Sequence, residues 1–351
     1  MFLDRTNGIE GEAMENIENI QVEQNIQEQK RWPSILGVNT VYLIVLILLV
    51  LAPIIIETQA PSLQGSLQYY IRLFVLELVL VGGPPLIYML IFKMDIKEIA
   101  RFNKIRPGEA FFVIGMAVLG YGVMIIVNLI WYWIVSHIGT PIGQELPPVT
   151  NLSQLLIAVF TIGLVPALVE EFLFRGLILR GYERFGTAAA IVMTGILFGI
   201  LHIQLMSIPS IILLGIIISY VVYRTNSIFA GVIYHFVHNT VTVFFLFIQN
   251  AIQKLSGGLE AVPQQDLSAL PEEALVFAYV FWAIIGLGAL ALFIVCTAFF
   301  HRYTEGKGQI RPISERDTAR PVWQQMIPVV VAVLFVIYLI FNEIRYMMGV
   351  I

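Results

Sequence analysis

The chain has 351 residues, 58% of them hydrophobic and 13% charged, with a mean hydropathy of +0.84. A soluble domain carries about 25% charged residues, so the composition excludes an ordinary water-soluble fold and predicts an all-α, polytopic membrane bundle. A net charge of −4 without a dense basic cluster argues against a nucleic-acid partner, and one cysteine, Cys296, excludes an internal disulfide framework or a multi-cysteine metal site.

Residues 1–34 read as a polar, Gln/Glu-rich arm, disordered or a surface helix, with no cleavable signal peptide before the first apolar run at Ile35. A membrane-crossing helix needs about 20 apolar residues. The runs 35–56, 68–92, 109–136, 152–174, 187–204, 208–223, 227–249, 273–300 and 325–342 are candidates, which predicts eight or nine transmembrane helices. The fifth and sixth are short and separated by a few residues around Pro209, as in a tight hairpin. The 250–272 segment, with Gly257, Gly258, Pro263 and Pro271, reads as a loop. The chain thus divides into an arm (1–34), N-terminal spans (35–149), a core (150–249) and a C-terminal part (250–351) that holds an outer loop and the last spans.

Lys and Arg mark cytosolic loops. The 93–108 loop holds Lys93, Lys97, Arg101, Lys104 and Arg106, and the 301–321 loop holds Arg302, Lys307, Arg311, Arg316 and Arg320. Arg180 and Arg184 follow the fourth span, and Arg224 the sixth. The 138–150 loop has no basic residue, and 250–272 has only Lys254. All of this predicts a multi-pass protein of the cell membrane with its N-terminus in the cytosol and its C-terminus outside.

Four polar residues stand inside these apolar runs: Glu170, Glu171, His202 and His235. An ionisable side chain at the bilayer centre costs about 2.5–3.5 kcal/mol on insertion scales. Two carboxylates and two imidazoles on the fourth, fifth and seventh runs therefore point to a buried polar site suited to water activation. Residues four apart share a helix face, so Glu171 and Arg175 are expected to pair. Glu170 points about 100° away and has no local cation, which leaves its carboxylate free to act as a base. Taken alone, the two glutamates equally fit a mere marker of the cytosolic end of a span. A lone membrane histidine such as His202 is more often hydrogen-bonded to a backbone carbonyl than a ligand. Gly195 and Gly199 on the same run allow close helix approach. On the seventh run, His235 and Asn239 share a face, while His238 turns aside. Counted from Arg184, Thr187 and Asn226, Glu170, His202, His235 and Asn239 lie about 21, 22, 14 and 20 Å deep at 1.5 Å per residue, so one buried level is expected for all four.

Glu170-Glu171-x-x-x-Arg175, Phe198-x-x-x-His202 and His235-x-x-x-Asn239, each on its own span, resemble the motifs of the CPBP intramembrane proteases. That family includes the type II CaaX prenyl proteases and bacterial bacteriocin-processing and self-immunity proteins. The resemblance covers about residues 150–245. It implies an intramembrane endopeptidase whose site is Glu170, Glu171, Arg175, His202, His235 and Asn239. Glu170 would activate a water. His202, His235 and Asn239 would position it and stabilise the oxyanion, or His202 and His235 would hold a divalent metal such as zinc. The expected partners are membrane lipid and a membrane-embedded or lipidated peptide, processed at the C-terminus in the CaaX manner. The residues also leave two other classes open: a non-catalytic immunity or scaffold protein, and a proton-coupled transporter, although no internal repeat supports the latter.

Overall fold

A computed structural model describes residues 32–57, 67–141, 148–255, 272–308 and 321–350. The expectations for most of the 1–34 arm, and for most of the loops within 250–272 and 301–321, fall outside those residues. Every regular element described is helical, and no strand occurs among the described residues. Eight helices are long and apolar enough to cross a membrane, and one shorter apolar helix joins them.

In chain order the elements are α1 (Ile35–Glu57), α2 (Leu67–Ile91), the one-turn α3 (Ile96–Ile99), α4 (Pro107–Ser136), α5 (Leu152–Phe185), α6 (Thr187–Leu201), α7 (Ile208–Thr225), α8 (Ile228–Leu255), α9 (Glu272–Tyr303) and α10 (Val322–Met347). Two boundaries differ most from the sequence expectation. The fourth span runs on to Phe185 instead of stopping at 174, because the polar residues after Phe174 are buried in the protein: Arg175 is fully enclosed and Arg180 nearly so. Residues 250–255 continue α8 and do not begin a loop.

Helices α4, α5, α7 and α8 pack around the middle of the molecule. α9 lies against α4, and α10 against α1. Helices α6 and α7 form the expected antiparallel hairpin, and their glycines explain how. A Cβ on Gly199 would stand 2.3 Å from Ile212 Cγ1, one on Gly195 2.6 Å from the Ile216 backbone nitrogen, and one on Gly215 2.8 Å from Gly195 Cα. Only bare backbone lets these two helices approach so closely.

Helices α2 and α5 are not regular. α2 contains a π-helical turn at Glu77–Gly82, and α5 contains two, at Val159–Leu164 and Phe172–Ile178. Prolines follow the first two: Pro84 and Pro85 in α2, and Pro166 in α5. A proline has no N–H to return to the carbonyl four residues back, and the widened turn accommodates that gap. Such turns concentrate at functional sites.

On the face read as cytosolic, the 93–106 connection is pinned to the ends of three helices. Arg101 pairs with Glu183 and donates to Asn226 Oδ1 at 3.1 Å, Asn103 Nδ2 donates to the Asn226 carbonyl at 2.7 Å, and Ser227 Oγ donates to the Asn103 carbonyl at 2.6 Å. These contacts hold the lower ends of α5, α7 and α8 at fixed spacing beneath the polar residues of the core.

Candidate active site

Glu170 and Glu171 close the short α-helical segment Val165–Glu171, between the two π turns of α5. Glu171 is fully buried. Its Oε1 receives Arg175 Nη1 at 2.8 Å, the i,i+4 pair expected from spacing. Arg175 is held further by α7: its Nη2 donates to the Gly215 carbonyl at 2.8 Å and its Nε to Ser219 Oγ at 3.3 Å, and the guanidinium lies 4.8 Å from the Phe198 ring centroid. A buried guanidinium with this many acceptors is satisfied, and its charge offsets the carboxylate beside it.

The same carboxylate has a second task that spacing did not reveal. His235 Nδ1 donates to Glu171 Oε1 at 3.0 Å. Gly231, one turn before His235, makes room for this: a Cβ there would sit 2.5 Å from Glu171 Oε2. Glu171 therefore fixes the His235 ring, with the hydrogen on Nδ1 and Nε2 turned inward.

His202 caps the C-terminal end of α6, and its Nδ1 donates to the Phe198 carbonyl at 2.8 Å. The bland reading of a lone membrane histidine is thus correct for that nitrogen, and it orients the other. Ile203 follows in a left-handed conformation, φ 51°. This is costly for a β-branched residue, and it turns the chain sharply away just after the imidazole. The Phe198 ring lies 4.8 Å from the His202 ring and 5.7 Å from the His235 ring, so one aromatic side chain packs against both imidazoles.

Glu170 stands between them. Its Oε2 is 4.0 Å from His202 Nε2 and 3.9 Å from His235 Nε2, and it has no hydrogen-bond partner. Three side chains, from α5, the C-terminal cap of α6 and α8, thus converge on one point. Asn239 lies one turn beyond His235, and its Nδ2 donates to the Ile162 carbonyl at 3.1 Å. Ile162 is the residue four before Pro166, which has no N–H to offer it. The proline thus frees the carbonyl that anchors Asn239. His238 turns aside as expected: its ring packs 5.1 Å from that of Tyr121, and its Nδ1 is unpartnered.

One residue escaped the sequence reading. Glu77, at the start of the π turn in α2, has a buried Oε1 without a hydrogen-bond partner, and its turn packs against the Val165–Glu171 segment, within electrostatic range of Glu170. The signal was present in the sequence. Glu77 is the only charged residue between Leu73 and Phe92, and a charge inside an apolar run is what singled out Glu170.

The donor types suit a divalent metal, but the spacing does not. Zinc–nitrogen and zinc–oxygen bonds of about 2.0–2.2 Å in a tetrahedron place the donors about 3.4 Å apart, and here they stand 3.9 and 4.0 Å apart. No group of three or more His, Cys, Asp or Glu residues with metal-binding geometry occurs among the described residues. A water hydrogen-bonded at about 2.8 Å to each partner fits a gap of this width.

Residues 152–241 match the family model described as type II CAAX prenyl endopeptidase Rce1-like. The matched segment runs from the start of α5 to two residues beyond Asn239, so it contains all three motifs. The match supports the CPBP/CAAX protease family for this segment. No curated protein and no solved structure gives a significant match.

Proposed function

We propose that this protein, whose core matches the CAAX-type endopeptidases, hydrolyses a peptide bond inside the membrane by a glutamate-activated water and processes lipidated C-termini of the Cys-a-a-X kind. The observation that carries the proposal is the unpartnered Glu170 Oε2 facing two imidazole nitrogens across a water-sized gap.

In this reading a water sits among Glu170 Oε2 and the Nε2 atoms of His202 and His235. It donates one O–H to the carboxylate and the other to an imidazole, which leaves an oxygen lone pair for the scissile carbonyl carbon. Glu170 takes the proton as the C–O bond forms. Asn239 has two amide hydrogens. One is spent on Ile162, and the other is available to the developing oxyanion. Glu171 and Arg175 do no chemistry, and their task is to hold His235. An apolar wall around these groups strengthens each interaction relative to water.

The test uses purified protein in detergent and a prenylated Cys-a-a-X peptide. Wild type should release the last three residues. Glu170→Gln should lower turnover by about 10²–10⁴-fold, the usual worth of a positioned base, with unchanged thermal unfolding. A Glu170→Gln protein as active as wild type would sink the proposal.

A further inference from the structure

We infer that Glu77 is a further catalytic residue of this site: the acid that protonates the leaving nitrogen while Glu170 acts as base. The inference rests on the endopeptidase reading above and adds to it a group from outside the matched segment.

The argument begins with hydrogen-bond inventory. His202 and His235 each spend Nδ1 on a pure acceptor, the Phe198 carbonyl and the Glu171 carboxylate. A neutral ring then offers only a lone pair at Nε2. Glu170 Oε2 and Glu77 Oε1 are also acceptors, both buried and both without a partner. With both rings neutral, these four groups are all acceptors. The nearest cation, Arg175, is already committed to Glu171, Gly215 and Ser219. Two unpaired carboxylates on packed segments of a membrane interior, within electrostatic range of each other, do not both carry charge, because each desolvated charge penalises the other. A proton held between them resolves the clash, and two adjacent carboxylates with one proton form an acid–base pair.

Local structure puts Glu77 in position. It opens the π turn of α2, and five residues later a Cβ on Gly82 would lie 3.1 Å from Val169 Cγ1, immediately before Glu170. That close approach holds the Glu77 turn against the segment that carries the base. An isolated carboxylate in a span is costly, and among the described residues no arginine or lysine pairs with it.

The proton balance closes. Glu170 removes a proton from water as the new C–O bond forms. The tetrahedral intermediate collapses, the C–N bond breaks, and Glu77 gives its proton to the departing nitrogen, which leaves as an amine. Glu170 then returns the water-derived proton to Glu77, and both groups are reset.

An alkoxide leaves without the protonation that an amine requires, so the experiment compares two probes in detergent: a prenylated Cys-a-a-X peptide, and the depsipeptide with an ester at the same bond. Glu77→Gln should lower kcat on the amide by about 10²–10⁴-fold, leave KM unchanged, and retain ester hydrolysis to within a few-fold. Glu170→Gln should lose both activities. Glu77→Asp, which keeps an acid, should recover part of the amide rate, and thermal unfolding should show that all three variants are folded. Full amide activity in Glu77→Gln, or equal loss on amide and ester, overturns the inference while leaving the endopeptidase reading in place. Wild type inactive on both probes overturns that reading, and the role of Glu77 with it.

Discussion

Glu171 Oε1 binds Arg175 at 2.8 Å and His235 at 3.0 Å, so the residue that satisfies a buried guanidinium also sets the ring facing Glu170. One oxygen atom thereby ties α5, α7 and α8 to a single geometry. Removing one partner of a buried ion pair costs about 3–5 kcal/mol. Arg175→Ala should therefore lower the thermal midpoint and the activity together. Arg175→Lys should not rescue either, because an ammonium cannot reach Glu171, Gly215 and Ser219 at once. An unchanged midpoint in Arg175→Ala would contradict this role.

Gly231 provides a steric test of the same link. Its Cβ position is 2.5 Å from Glu171 Oε2 and 2.7 Å from Val222 Cγ2. Gly231→Ala should cost about 1–3 kcal/mol through overpacking and reduce turnover by displacing Glu171. Gly288→Ala, where no atom lies within 4 Å of the added carbon, serves as the matched control and should be neutral in melting temperature and rate.

The donor spacing around Glu170 predicts independence from bound metal. Treatment with a strong zinc chelator should leave turnover intact, while His235→Ala should abolish it. Activity that disappears with the chelator and returns with zinc would show that the loaded site closes to metal-bonding distance, against the spacing described above.

Orientation is open to direct measurement. In a Cys296→Ser background, a cysteine between residues 97 and 104 should be shielded from an impermeant thiol reagent added outside, and one in the 260s should react. This follows from the density of Lys and Arg in the 93–108 loop. The opposite labelling pattern would invert the topology.

Much of this arrangement was legible in the sequence, for identifiable reasons. Apolar runs have no competing explanation at lengths near 20 residues, so the spans emerged directly. The i,i+4 rule placed Glu171 beside Arg175 because both lie on one helical turn. What escaped was long-range or irregular. The Glu171–His235 bond joins residues 64 apart in sequence, and nothing in local spacing encodes it. The π turns shift side chains away from the 3.6-residue period, so a regular wheel drawn on α2 or α5 misplaces the residues beyond them. The anchoring of Asn239 on Ile162 depends on a carbonyl freed by Pro166, a link visible only once α5 and α8 are side by side. The fourth span was cut short at 174 because buried arginines look like interface residues in a hydropathy profile.

The shortness of α6 has a consequence for the surrounding lipid. Its 15 residues rise about 22 Å, whereas the hydrocarbon layer is about 30 Å thick. The reversal at 202–207, with His202, Gln204 and Ser207, thus ends well below the far headgroups. A span shorter than the hydrocarbon layer is accommodated by local thinning of the bilayer. In the endopeptidase reading proposed above, water bound for Glu170 would travel only the shortened distance to the hairpin tip, and acyl-chain length in the host bilayer would become a determinant of the rate.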